Sequence, residues 1–287
     1  MKYTNKQNLP EALYKAVIND PYKRDSDFSA SMLSTPPQII VLKERHKDDI
    51  TVDVSDLIYP LIGNNTHYIL ERIGIKNGLQ EERFTGTFWN GLTVSGKLDF
   101  YDYMKILWDY KITTRYVLVD GVKPEWEAQS NINAHLLRIN RFSVNGAKIC
   151  VIFRDWSKIQ AMKVPNYPKH QVAVLPVRLW DEKDVEDYIN ERVKLHYQSM
   201  DAPSNQLPEC TPEERWDKPT TFAVIKNGNK RATRVLESMD EARSYAINNE
   251  LPADSYHIQE RIGESTRCEY YCDVKDFCQQ YKRLKED

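Results

Sequence analysis

Between residues 80 and 113 the chain offers three strand-like runs, 80–89, 92–101 and 104–113, separated by two short turn signals. The first signal is Asn90-Gly91, a pair suited to the positive φ values of a tight hairpin, and the second is the polar step at 101–103. Strands joined this closely pair antiparallel, because parallel neighbours need a crossover of about a dozen residues or more. A piece of antiparallel sheet is therefore the fixed point around which the rest must pack.

The surrounding periodicity predicts helices at 9–19 and 28–46, the second broken or started near Pro36-Pro37. Residues 54–74 form a longer helical pattern whose apolar stripe is Leu57, Ile58, Leu61, Ile62, Ile69 and Leu70. A helix from Pro124 to about Asn140 begins with proline in its first turn, as the fixed φ of proline favours. Strands at 147–154 and 171–179 continue the sheet, and a charged helix runs from Asp181 to about Met200. This interleaving predicts an α/β (α+β) fold, a central mixed sheet flanked by helices.

After residue 200 the composition shifts. Residues 201–219 are rich in proline and polar side chains and read as a linker. Strand-like runs at 221–226 and 231–236 then flank Asn227-Gly228, followed by a helix at 238–249 and a third strand at 256–262. The expected organisation is a core at 1–209, a linker with a small ββαβ insertion at 210–267, and a cysteine-bearing end at 268–287.

Net charge is −2 and hydrophobic residues make up 41% of the chain. That balance suits a packed globular protein and neither advertises nor excludes a nucleic-acid partner, since carboxylates at a metal site offset basic residues along a groove. No apolar run approaches the roughly 20 residues that span a bilayer. The opening MKYTNKQNLPEAL has no apolar leader, so no membrane association and a cytoplasmic location are expected. Neither a Walker A motif nor a Gly-x-Ser-x-Gly elbow occurs.

Chemistry concentrates in Gly96-Lys97-Leu98-Asp99 and, ten residues on, Asp109-Tyr110-Lys111. Alternation along a strand places Asp109 and Lys111 on one face, and Asp99 on a neighbouring strand can reach it. Two carboxylates suit Mg²⁺ or Mn²⁺, hard cations that take oxygen ligands, and a lysine can orient a nucleophilic water and offset charge on a phosphate. The plain alternative is that both acids are solvent-facing residues of a half-exposed sheet. Basic and aromatic residues also mix at 154–158 and 163–169, a composition that can stack bases.

GKLDFYD followed by ILWDYKIT resembles motifs II and III of the PD-(D/E)xK nuclease superfamily, in its RecB/Cas4-like branch. That branch carries an upstream G-x-x-x-H-x-x-L-E pattern, which Gly63 to Glu71 matches, so the resemblance implies that His67 is a metal ligand beside Asp99 and Asp109. It also implies a restriction-endonuclease-like core, Lys111 as the residue assisting the nucleophile, and the main-chain carbonyl of Ile112 as a ligand. Gln129 matches the glutamine of a Q-x-x-x-Y helix and would position substrate or Lys111; Asn133 stands where the tyrosine is expected. Glu71, one turn after His67, reads as an outer support or a surface acid.

Of five cysteines, Cys268, Cys272 and Cys278 fall within eleven residues. Thiolates at such spacing can converge on a soft metal centre. In nucleases of this branch three C-terminal cysteines join a distant one around a [4Fe–4S] cluster, and Zn²⁺ is the alternative for a four-cysteine site. Here the first pair is spaced C-x₃-C, and Ser34-Thr35-Pro36-Pro37 stands where the distant cysteine is expected. The fourth ligand must come from Cys210 or Cys150; Cys210, in a polar loop, is favoured, and Cys150 reads as a small core residue.

The resemblance implies a metal-dependent nuclease, an exonuclease acting on DNA ends or single strands in phage or prokaryotic recombination, repair or processing. Recombination or replication proteins would be its partners, and a bacterial or phage-infected host cytoplasm its location. The alternative is a catalytically inactive DNA-binding or interaction subunit that keeps the fold.

Overall fold

Strands and helices follow one another in the order that the periodicity predicts, with breaks where charged residues interrupt a strand. The computed structural model describes residues 1–19 and 25–286, which fall into two units, Met1–Leu207 and Pro208–Asp287. The first unit contains α1 (Glu11–Ile18), α2 (Pro37–Arg45), α3 (Ile58–Glu71), β1 (Gly78–Gln80), β2 (Arg83–Thr87), β3 (Thr93–Lys97), β4 (Phe100–Asp102) and β5 (Ile106–Thr113). It continues with α4 (Pro124–Ile139), β6 (Gly146–Phe153), β7 (Val172–Val177) and α5 (Glu182–Asp201).

Five strands form a mixed sheet in the order β7-β6-β5-β4-β1. Only β5 and β6 run parallel, with Asp109 opposite Ile149 and Lys111 opposite Val151, and α4 supplies the crossover between them. A smaller sheet pairs β3 with β2 and with a short strand at Phe28–Ser29. The fold is mixed α+β.

Helix α4 lies between two cores. Its Ala134 and Leu137 pack with Leu98, Leu107, Ile149, Val151 and Phe153. Ile132 and Leu136 pack with Phe28, Leu33, Val94 and the α5 residues Val185, Ile189 and Val193. Each such aliphatic side chain contributes about 1.5–3 kcal/mol on burial, so two faces of α4 are committed to packing. Its approach to β3 requires Gly96: a Cβ there would fall 2.0 Å from Asn133 Oδ1 and 2.9 Å from Leu136 Cδ1.

Several expected elements are divided in the structure. The run 28–46 becomes the strand at 28–29, one helical turn at Ala30–Leu33 capped by Ser29, and α2, which starts at Pro37. The run 54–74 becomes a 3₁₀ turn at Val54–Leu57 and then α3. No residue of α3 is buried, and Ile62 and Ile69 of the expected core stripe are 42% and 62% exposed.

The strand runs 80–89 and 92–101 each break once, opposite one another. Glu81 adopts a left-handed φ of +53°, and Leu98 turns wholly into the core. The Leu98 N–H donates to Glu82 O at 2.8 Å and the Glu81 N–H to Asp99 O at 3.2 Å. The chain thereby steps between the two sheets at Glu81–Glu82 and again at Leu98–Asp99. Asp99 therefore sits at a break before β4 and not within a strand.

The second unit contains β8 (Thr221–Lys226), β9 (Arg234–Leu236), α6 (Met239–Asn248), β10 (Tyr256–Arg261), α7 (Thr266–Tyr270) and α8 (Gln279–Glu286). Its antiparallel sheet has the order β9-β8-β10, and α6 buries Ala242 and Ala246. The expected hairpin partner at 231–236 forms only from Arg234 onward, where Val224 pairs with Arg234. Asn227 explains the delay: its N–H bonds Ser255 O at 2.8 Å and its side chain bonds Asp254 O at 2.6 Å, tying the turn to the approach to β10.

Candidate metal and active site

Strand β5 carries Asp109 and Lys111 on the same face as Leu107, the face that α4 covers. The Lys111 ammonium lies 2.9 Å from both Asp109 oxygens. On its other side it reaches Gln129 Oε1 of α4 at 3.5 Å. The helix that fills both cores thus also brings its glutamine to the lysine.

Asp99 joins them through the main chain. Its pairing ladder ends at Phe100 opposite Trp108, and Asp99 Oδ2 then accepts the Tyr110 N–H at 2.7 Å. A carboxylate replaces the carbonyl that a continued strand would have offered. Residues two apart on a strand direct their peptide groups to the same edge, so the alternation turns the Ile112 carbonyl to this unpaired edge of β5. The Ile112 side chain lies on the opposite face from Lys111.

His67 reaches the cluster from α3. Its Nδ1 is 3.5 Å from Asp99 Oδ1 and 3.5 Å from Glu81 Oε1, and its ring meets Tyr110 edge-on at 6.5 Å. Glu81, at the strand break, is a residue the sequence reading missed. Its Oε2 takes the Lys97 ammonium at 2.6 Å. The available signal was Glu81-Glu82, two consecutive acids interrupting an alternating run. Glu71 is solvent-exposed and stays outside the cluster.

Among the described residues, the ligand atoms of His67, Glu81 and Asp99 form a group of three lying within 4.8 Å of one another. Burial and the charge of Asp109 push the Asp99 carboxyl up to about 7. His67 is raised, first by its contact with Glu81 and further by the charges of Asp99 and Asp109. Burial works to raise Glu81, but His67 and Lys97 together hold it below its ordinary value.

Glu81 Oε1 and Asp109 Oδ2 are buried and accept no directed hydrogen bond, although the Lys111 charge stands beside the latter. Crowded carboxylates with unsatisfied oxygens and one imidazole are a donor set that fits a hard divalent cation.

The mixed basic and aromatic segments are largely occupied in holding their own loop. Trp156 Nε1 donates to Pro168 O at 2.9 Å, and the Tyr167 hydroxyl accepts from Ser157 N–H at 2.8 Å while its ring receives the Arg115 guanidinium. Arg154 stacks on Tyr59 at 3.8 Å. Cys150 is not a core residue. It is half-buried on the face of the sheet away from α4, beside Tyr110, Trp108 and Phe100.

The other four cysteines all belong to the second unit. Cys210 precedes a capped turn at Pro212–Arg215, Cys268 lies on α7, Cys272 follows it, and Cys278 precedes α8. None is in a disulfide. Burial first, and then Glu214 and the other three cysteines, push the Cys210 thiol up to about 12. Burial with Cys272 and Cys278 takes Cys268 to about 11, and burial also raises Cys272.

Main-chain contacts hold this cluster. The Tyr281 N–H donates to Cys278 Sγ at 3.4 Å. Gln280 accepts from the Cys210 N–H and donates to its carbonyl, each at 2.9 Å. Four cysteines of one unit, three of them with thiols raised by burial, are a donor set that fits a soft metal centre.

No protein-family model matches this chain, and no curated protein matches it. A solved structure described as "Crystal structure of SSO0001" is similar at 16% identity with a TM-score of 0.44, over 64% of this chain and 83% of that one. A likeness of that degree carries no argument about activity. Among the described residues no helix is long and apolar enough to cross a membrane.

Proposed function

We propose that this chain is a Mg²⁺- or Mn²⁺-dependent deoxyribonuclease of the PD-(D/E)xK superfamily, in its RecB/Cas4-like branch. The observation that carries the reading is the meeting of His67, Asp99, Asp109 and Lys111, drawn from a helix, a strand break and a strand, around unsatisfied carboxylate oxygens. His67, Asp99, Asp109 and the Ile112 carbonyl would hold the cation. Such an ion polarises a phosphodiester and lowers the pKa of a bound water.

The remaining work falls to the chain's own residues. Lys111, steered by Asp109 and Gln129, orients the attacking water and offsets negative charge as it builds on the phosphate. The Tyr110 N–H fixes the Asp99 carboxylate so that it does not have to reorganise on loading. It would act as an exonuclease on DNA ends or single strands, with recombination or replication proteins as partners and a prokaryotic or phage-infected cytoplasm as the setting.

The four cysteines of the second unit would hold a [4Fe–4S] cluster. Zinc is the competing metal for a four-cysteine site, and the family resemblance favours the iron–sulfur centre. Anaerobically purified protein is expected to be brown; colourless protein carrying stoichiometric zinc would replace iron–sulfur with zinc.

The test of the activity is digestion of end-labelled single- and double-stranded DNA with Mn²⁺. Lys111→Ala should lower the rate by about 10²–10³-fold, the usual cost of removing a charge-stabilising donor. Equal behaviour of wild type and Lys111→Ala would remove the catalytic claim and leave a DNA-binding or interaction subunit.

A further inference from the structure

We propose that Glu81, braced by Lys97, is a further protein ligand of the cation held by His67, Asp99, Asp109 and the Ile112 carbonyl. This rests on the metal-dependent reading above and adds a carboxylate that the motif resemblance does not contain.

Four observations converge on Glu81. Its side chain is only 6% exposed, yet Oε1 accepts no directed hydrogen bond. That oxygen faces His67 Nδ1 at 3.5 Å, and the three ligand atoms lie within 4.8 Å of one another. Cis ligands in an octahedral shell with bonds of about 2.1 Å stand about 3 Å apart, so a small inward movement would complete such a set.

Lys97 explains which oxygen is free. Its ammonium holds Oε2 at 2.6 Å, which fixes the carboxylate plane and leaves Oε1 turned toward His67 and Asp99. Lys97 itself is more than a third exposed, so water can share its charge while the carboxylate stays buried. The backbone supports the same assignment. Glu81 holds a left-handed φ of +53°, a conformation that costs a non-glycine residue about 1–2 kcal/mol. Its N–H donates to the carbonyl of Asp99 at 3.2 Å, so these two ligand residues are tied through their main chains.

An imidazole among the oxygen ligands, with little room left for water, suits Mn²⁺ better than Mg²⁺, which is held mainly by oxygen and keeps most of its water. The competing role for Glu81 is to orient the imidazole alone, as carboxylates commonly do behind a metal-bound histidine. Glu81→Gln separates the two, because the amide oxygen still accepts from an imidazole N–H but carries no charge for the cation.

The experiment is a calorimetric titration of MnCl₂ into the full chain without DNA, beside Mn²⁺ electron paramagnetic resonance. Glu81→Gln should weaken binding by well over 10²-fold, beyond the roughly 10–100-fold that loss of an orienting contact costs; a loss within or below that range overturns the proposal.

A second variant guards against misfolding. Glu81→Gly removes the carboxylate and relieves the left-handed backbone, so its metal-free Tm should equal or exceed that of wild type. Mn²⁺ should then raise the Tm of wild type and leave that of Glu81→Gly unmoved; an equal rise in both overturns the proposal. If wild type binds Mn²⁺ in the Glu81-dependent manner but leaves DNA intact, the nuclease reading falls and the ligand assignment stands. If wild type cleaves DNA while Glu81→Gln binds Mn²⁺ as tightly as wild type, only the ligand assignment falls.

Discussion

The carboxylate cluster of the first unit and the cysteine cluster of the second both crowd ligand atoms together, and they relieve the crowding differently. In the first, His67, Lys97 and Lys111 bring positive charge among Glu81, Asp99 and Asp109, and His67 remains about one-third exposed. In the second, burial raises three of the thiols and keeps them protonated. A partly solvated, charge-balanced site can exchange an ion and admit a substrate. A buried thiol site binds metal only by releasing protons and then holds it, as structural centres do.

The comparison breaks most sharply at the cysteines. Cys268→Ser should abolish metal loading and the cooperative unfolding of the second unit, where thiolate centres supply on the order of 10 kcal/mol of apparent binding energy. The rise of Tm with Mn²⁺ in the first unit should survive. Unchanged hydrogen exchange across β8–β10 in this variant would argue that the cysteines hold nothing.

The next effect is a pH dependence. The folded Asp99 carboxyl, at about 7, stands above its ordinary 3.8, so the folded metal-free chain holds that proton more tightly than the unfolded one. The stability this contributes is complete below the unfolded value and is lost as pH rises from there through about 7. Wild type should therefore lose Tm over that window relative to Asp99→Asn, and Mn²⁺ should remove the difference. Parallel profiles for the two metal-free proteins would discard this account.

Smaller effects test packing within each unit. Gly96→Ala forces a Cβ against Asn133 and Leu136 and should cost about 1–3 kcal/mol, read as a lower urea midpoint for the first unit. Ser238 caps α6 by accepting the Glu241 N–H. Ser238→Ala should cost about 1 kcal/mol and move only the transition of the second unit.

Asp109 and Lys111 were legible because a period of two places both on one side of any strand that contains them. His67 was legible only through its motif, since a histidine on an exposed helix carries no periodic signal of its own. The breaks at Glu81 and Leu98 were hidden because alternation runs on across them while the chain changes sheets. With the breaks hidden, Glu81 read as one more polar strand residue.

The stripe on α3 looked like core because hydrophobic spacing reports a face and not what covers it. Cys210 was favoured over Cys150 from loop polarity, and the fold places Cys210 in the same unit as the other three. Asn227-Gly228 signalled its turn, but the hydrogen bonds of Asn227 to Ser255 and Asp254, far along the sequence, delayed the partner strand.

The paired hydrogen bonds between Gln280 and the backbone of Cys210 span 70 residues of chain. They act as a latch that draws the ends of a long loop together by contacts independent of any metal. Most of the chain entropy of closing that loop is then spent during folding and not during loading. If the four sulfurs hold a metal, they would meet it as a macrocyclic chelator does, tied into a ring before its guest arrives. Losing the latch should slow capture of the metal more than it hastens release.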